Sequence, residues 1–133
     1  MNELTIEAKI ENLDTVVDFI TEKLSEIDYP MNIQMEIAVA AEEIFVNIAH
    51  YAYSPETGDV VIRFSVEDQI IIEFEDKGKP YNPLDKEDPD ITLDIDKREI
   101  GGLGIFMVKN MMDSVEYRRK DNRNLLVLRK AIV

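Results

Sequence analysis

The chain has 133 residues, 45% of them hydrophobic, with no cysteine and a single histidine. That length fits one domain with a core that needs no cross-links, and the composition removes disulfides, thiolate metal sites, cysteine nucleophiles and a zinc centre of ordinary make-up. Against 15 Lys and Arg stand 28 Asp and Glu, a formal charge of −13, so direct nucleic-acid binding is excluded as a main activity, while an acidic surface suits either plain solubility or a basic protein partner.

The first residues, MNELTIEAKIENLD, carry no basic segment followed by an apolar run, and no stretch is long enough to span a bilayer. The expectation is a cytoplasmic protein with no membrane association and no export. From Leu4 to Ile10 the pattern alternates, Leu4, Ile6, Ala8 and Ile10 against Glu3, Thr5, Glu7 and Lys9, which predicts a half-buried strand able to sit at a sheet edge. Asn12 can cap a helix whose Leu13, Val16, Val17, Ile20, Leu24 and Ile27 keep helical spacing until Asp28-Tyr29-Pro30.

A second helix is expected from near Asn32 to about Tyr53. Ile37, Ala41, Ile44, Ile48 and Ala52 fall on one apolar face, with Ala38 and Phe45 at its edge; Glu36, Glu43, Asn47 and His50 fall on the other. Glu43 and Asn47 are therefore stacked one turn apart. Asparagine is a poor helix former, because its side chain competes for backbone hydrogen bonds, so a purpose other than helix stability is a natural explanation for Asn47.

After the turn Ser54-Pro55-Glu56-Thr57-Gly58, a β-hairpin is predicted, with Val60, Ile62, Phe64 and Val66 inward on one strand and Ile70, Ile72 and Phe74 on the next. It ends in Phe74-Glu75-Asp76-Lys77-Gly78-Lys79-Pro80. Residues 81–100 hold Pro83, Pro89 and many charges, which predicts a long surface loop of the kind that is usually functional. Gly101-Gly102-Leu103-Gly104 then leads into a short helix with Ile105, Phe106, Val108, Met111 and Met112. Val115 and Tyr117 open a strand, Asp121-Asn122-Arg123-Asn124 makes a turn, and Leu125 to Ile132 forms the last strand. The fold expected is a single α+β two-layer sandwich over 1–133, a mixed, mainly antiparallel sheet with helices on one face.

Each chemical candidate has two readings when taken alone. Gly102 and Gly104 ahead of a helix make either a tight turn or a place where backbone N–H groups meet a phosphate; the spacing matches neither GxGxxG nor a phosphate loop ending in GK[ST]. Asp76 is a turn acid or an acceptor for the exocyclic amine of a base, with Gly78 admitting close approach of the backbone. Glu43 is a solvated acid or a general base, and Asn47 a wet helix residue or an oxygen ligand for Mg2+.

Together, these segments resemble the GHKL family of ATP-binding proteins, whose Bergerat fold is shared by gyrase, histidine kinases and mismatch-repair ATPases. Glu43-Ile44-Phe45-Val46-Asn47 is similar to the family's first motif, Asp76-Lys77-Gly78 to its second and Gly102-Leu103-Gly104 to its third, and the likeness covers nearly the whole chain. Within the family, EEIFVNIAHYAY, FEDKGKPYNPL and GGLGIFMVKNMMDSVEYRR resemble small bacterial anti-sigma factors that are serine-protein kinases.

The resemblance implies that Glu43 activates an acceptor hydroxyl, Asn47 holds Mg2+ against ATP, Asp76 binds the adenine amine, and Gly102 and Gly104 frame the phosphates, with 81–100 as the ATP lid. It also implies a sigma factor and a STAS-type anti-sigma antagonist as partners, and a homodimer. Two departures stand out: Pro80 where relatives often have another glycine, and Arg123-Asn124 where many have Gly-Thr. His50 is expected to be structural. A separate helix presenting a phosphoacceptor histidine is not expected, nor is a further domain coupling hydrolysis to motion. Two other readings are a nucleotide-gated binding module without phosphoryl transfer and an acidic scaffold without nucleotide binding.

Overall fold

The computed structural model describes residues 2–53, 56–85 and 102–132. In chain order the elements are β1 (Asn2–Glu7), α1 (Leu13–Ser25), α2 (Met31–Tyr51), β2 (Asp59–Val66), β3 (Gln69–Asp76), α3 (Gly102–Met111), β4 (Ser114–Lys120) and β5 (Arg123–Ala131), with 3-10 turns at Ile10–Asn12 and Pro83–Asp85. The strands form one sheet in the order β1-β2-β3-β5-β4, and every neighbouring pair is antiparallel. This is the expected α+β sandwich. Beyond Asp85 the expected lid lies outside the described residues.

Period-two patterning places one row of each strand in the core. Val60, Ile62, Phe64, Ile70, Ile72, Phe74, Leu126 and Leu128 are buried together with Val16, Ile20 and Leu24 of α1 and Ile37, Ile44 and Phe45 of α2. On the opposite face Arg63 lies 3.2 Å from Glu3, 3.6 Å from Glu73 and 3.3 Å from Glu75. The helices therefore cover one face only. Among the described residues, no helix is long and apolar enough to cross a membrane.

Several boundaries differ from the expectation, each for a local reason. The first strand ends at Glu7 and Ile10 enters a 3-10 turn, 43% exposed. Asn12 does not cap α1 with its side chain; its Nδ2 instead donates to the Glu7 carbonyl at 2.9 Å and fastens that turn. Val66, expected inward, is 40% exposed at the hairpin end. Gly102 and Gly104 lie inside the first turn of α3 rather than ahead of it. Glycine disfavours that placement, but extending the helix accompanies burial of Ile105, Val108 and Met112.

Two differences shape the site. Asn47 is expected on the face opposite the apolar one, yet it is buried, at a cavity lined also by Phe74 and Asp76 of β3, Asn124 and Leu126 of β5, and Tyr81 and Pro83. In the last hairpin, Asp121 and Asn122 take positive φ values of 54° and 62°, completing the connection in two residues, a conformation these side chains tolerate. Lys120 then pairs with Arg123, and Asn124 becomes a strand residue directly opposite Asp76.

Candidate active site

Asp76, the last residue of β3, is 4% exposed. Its Oδ1 accepts from the Gly78 N–H and from Asn124 Nδ2, each at 2.9 Å. Among the described residues both of its hydrogen bonds fall on Oδ1, which leaves Oδ2 for a donor in the cavity that Asp76 lines. Burial pushes the Asp76 carboxyl above its ordinary value, although the bonds from Asn124 and Gly78 and the charge of Arg119 pull the other way.

Asn124 uses its full hydrogen-bonding capacity. Nδ2 also donates to the Lys79 carbonyl at 2.8 Å, while Oδ1 accepts from the Tyr117 hydroxyl at 2.5 Å and from Arg119 Nη1 at 3.2 Å. Reversing the amide would set donors against donors and acceptors against acceptors, so its orientation is fixed. Arg119 further donates to the Gly78 carbonyl at 2.7 Å, tying β4 to the segment after β3. A Cβ on Gly78 would lie 2.3 Å from the Ala52 carbonyl oxygen, and the Lys79 N–H donates to that same oxygen at 2.9 Å. The close backbone approach at this glycine is to the end of α2.

Asn47 projects from α2 into the same cavity, which Ile44, Ile48, Phe74 and Leu126 also line. It is 6% exposed, and its Nδ2 has no hydrogen-bond partner among the described residues. An unpaired buried amide is costly unless something else engages the group. The cavity measures about 30 Å³, room for one or two waters. Tyr81, stacked on Tyr51 with ring centroids 4.9 Å apart, and Pro83 also line it.

Glu43 sits one turn before Asn47 and is partly exposed. Its carboxyl is raised above the ordinary range, first by burial and second by the neighbouring charge of Glu42. Its Oε2 lies 2.2 Å from where a Cβ on Gly104 would be, so the carboxylate rests against the first turn of α3. Among the described residues no three His, Asp or Glu side chains gather as a metal centre. A metal held at the Asn47 amide oxygen would therefore need phosphate and water oxygens to complete its shell, the usual arrangement for Mg2+ with a nucleotide.

The fold thus brings Asn47 and Asp76 to one cavity and places Glu43 beside Gly104 on the flank of α2. His50 is exposed, and its ring meets Tyr51 edge-on with centroids 6.0 Å apart. Sequence reasoning missed Asn124, Tyr117, Arg119 and the Tyr51–Tyr81 pair. A usable signal existed for Asn124: it continues the period-two row of Leu126 and Leu128.

The acid-and-amide helix, the buried strand-end Asp and the glycine-bearing turn define a class. Residues 6–130 match the model of the histidine kinase-like ATPase domain, and the chain belongs to that family. Among its relatives is the serine-protein kinase RsbW of Bacillus pumilus, 30% identical over 122 residues, covering 86% of this chain and 75% of the relative. RsbW of Halalkalibacterium halodurans is 27% identical, covering 96% and 81%. A Mycobacterium tuberculosis structure of RsbU and RsbW domains superposes with a TM-score of 0.68 at 15% identity, over 99% of this chain and 33% of the other.

Proposed function

We propose that this protein is a cytoplasmic anti-sigma regulatory kinase that transfers the γ-phosphate of Mg-ATP to a serine of a STAS-type anti-sigma antagonist. The observation that carries the reading is the joint placement in a single cavity of a buried Asn47, whose Nδ2 has no partner among the described residues, and an Asp76 whose two hydrogen bonds fall on one oxygen, with Glu43 one helical turn away. The names of the relatives, serine-protein kinases, support the same class.

In this reading Asp76 Oδ2 accepts from the adenine amine, and Asn124 with the Gly78 N–H keeps that oxygen aimed. Gly102 and Gly104 let the first turn of α3 approach the phosphates, whose charge its free N–H groups favour. Mg2+, held at the Asn47 amide oxygen, would neutralise charge on the triphosphate. Glu43 accepts the proton of the serine hydroxyl as its oxygen bonds to the γ-phosphorus; the bond to the bridging oxygen breaks and ADP leaves. Phosphoserine then adds charge to the antagonist's surface and disfavours its complex. The same reading includes a sigma factor as second partner and a homodimer.

Incubation with γ-labelled Mg-ATP and the STAS protein encoded nearest the gene tests the reading. Expected is labelled phosphoserine, with the rate reduced by about 10²–10⁴-fold in Glu43→Ala. Nucleotide binding without transfer would instead identify a nucleotide-gated binding module. Absence of any binding at millimolar Mg-ATP would leave the acidic scaffold.

A further inference from the structure

Glycine is among the poorest helix formers, yet Gly104 lies within the first turn of α3. The space that a side chain would enter there is filled by Glu43: the three heavy atoms nearest a Cβ would be its Oε2 at 2.2 Å, Cδ at 3.0 Å and Cγ at 3.6 Å. At Gly78, by contrast, the obstacle is the backbone of Ala52. A methyl at position 104 therefore displaces the end of one flexible acid and leaves the fold intact. The first turn of a helix also presents unpaired N–H groups and a positive dipole end, which favour a carboxylate lying against it.

We propose that Gly104 is a positioning residue for Glu43: lacking a side chain, it lets the carboxylate lie against the first turn of α3, so that the base and the phosphate-facing turn are held as one unit. The role rests on the reading of Glu43 as the base. It gives Gly104 a purpose separate from contact with phosphate, and it explains why a helix-breaking residue sits inside a helix. Burial raises the Glu43 carboxyl, in keeping with its shelter between α2 and α3.

Four proteins test this: the parent, Gly104→Ala, Glu43→Asp and the double variant. In nucleotide-free protein labelled with 13C at glutamate carboxyls, the Glu43 signal is assigned by its loss in Glu43→Asp. It should move in Gly104→Ala towards that of an exposed acid such as Glu22, with the melting temperature unchanged or higher. Transfer to the STAS protein should fall by about 10–100-fold and Mg-ATP affinity by much less. The shorter Asp should slow transfer in the parent but restore part of it in the Gly104→Ala background, where a carboxylate withdrawn by one methylene clears the added methyl.

An unmoved Glu43 signal, a melting temperature lowered by more than about 5 °C, or an Asp substitution equally harmful in both backgrounds would overturn the proposal. Failure of the parent to transfer phosphate would remove the kinase reading alone, and the carboxyl signal would still decide whether Gly104 positions Glu43.

Discussion

Asp76 is a buried anion whose orientation and charge have opposite effects on the fold. Its carboxyl titrates above the ordinary aspartate value, chiefly through burial. A raised acid contributes stability in its protonated form below the ordinary carboxylate pKa, and that contribution is lost as pH rises through the native value. Asp76→Asn keeps an oxygen to accept from Gly78 and Asn124 while removing the charge. It should raise the melting temperature at pH 7 by a few degrees, roughly 2–5 °C, with a smaller gain in acid, and abolish ATP binding by calorimetry. Asn124→Ala should act in the opposite sense on stability, leaving the Tyr117 hydroxyl and Lys79 carbonyl short of a partner; urea unfolding should show a loss of about 1–3 kcal/mol. Asp76 is legible as a candidate because it ends an alternating apolar run and precedes Lys-Gly. Asn124 is harder to read: it continues the alternation of Leu126 and Leu128, but Asp-Asn-Arg-Asn consists of turn-compatible residues, and the positive φ values of Asp121 and Asn122 show that the turn needs two of them. For Glu43, whose pKa is also raised by burial and then by Glu42, base chemistry requires ionisation. The acidic limb of transfer should lie above the ordinary carboxylate range, and Glu42→Gln should move it to lower pH in a pH–rate profile.

At the scale of elements, α2 organises the molecule, since it meets the sheet, α1 and α3 at once. Periodicity revealed its span and the strands around it, because apolar spacing is a local property. It did not reveal that Asn47 is buried, because a helical wheel says nothing of how many neighbours a helix has; Asp76, Asn124 and Leu126, which line the cavity with Asn47, come from segments far along the chain. Truncating its fully buried anchor, Phe45→Ala, should cost about 3–5 kcal/mol. The two site glycines differ in the same way that their obstacles differ. Gly78→Ala drives a methyl to 2.3 Å from the Ala52 carbonyl oxygen and threatens the Lys79–Ala52 hydrogen bond. It should destabilise by about 1–3 kcal/mol, read as a lowered urea midpoint at unchanged slope. Gly104→Ala, facing only a flexible carboxylate, should not.

For the whole molecule, a family of ATPase domains, a one-sided sandwich and a cavity shared by α2, β3 and β5 converge on one ligand. Tyr81 and Pro83 line that cavity, and the formal charge of −13 leaves the chain with a strong acidic excess. Composition showed that charge, and the three motifs showed the family; the placement of Tyr81 at the cavity, stacked on Tyr51 from thirty residues away in the chain, had no local signal. The central claim is that this cavity holds Mg-ATP through Asn47. Calorimetry of ATP with and without Mg2+, on the parent and on Asn47→Ala, tests it most directly. Mg2+ should tighten ATP binding by about tenfold or more in the parent, and that gain should vanish in Asn47→Ala. Equal affinity with and without Mg2+, or a gain that survives Asn47→Ala, would contradict the account.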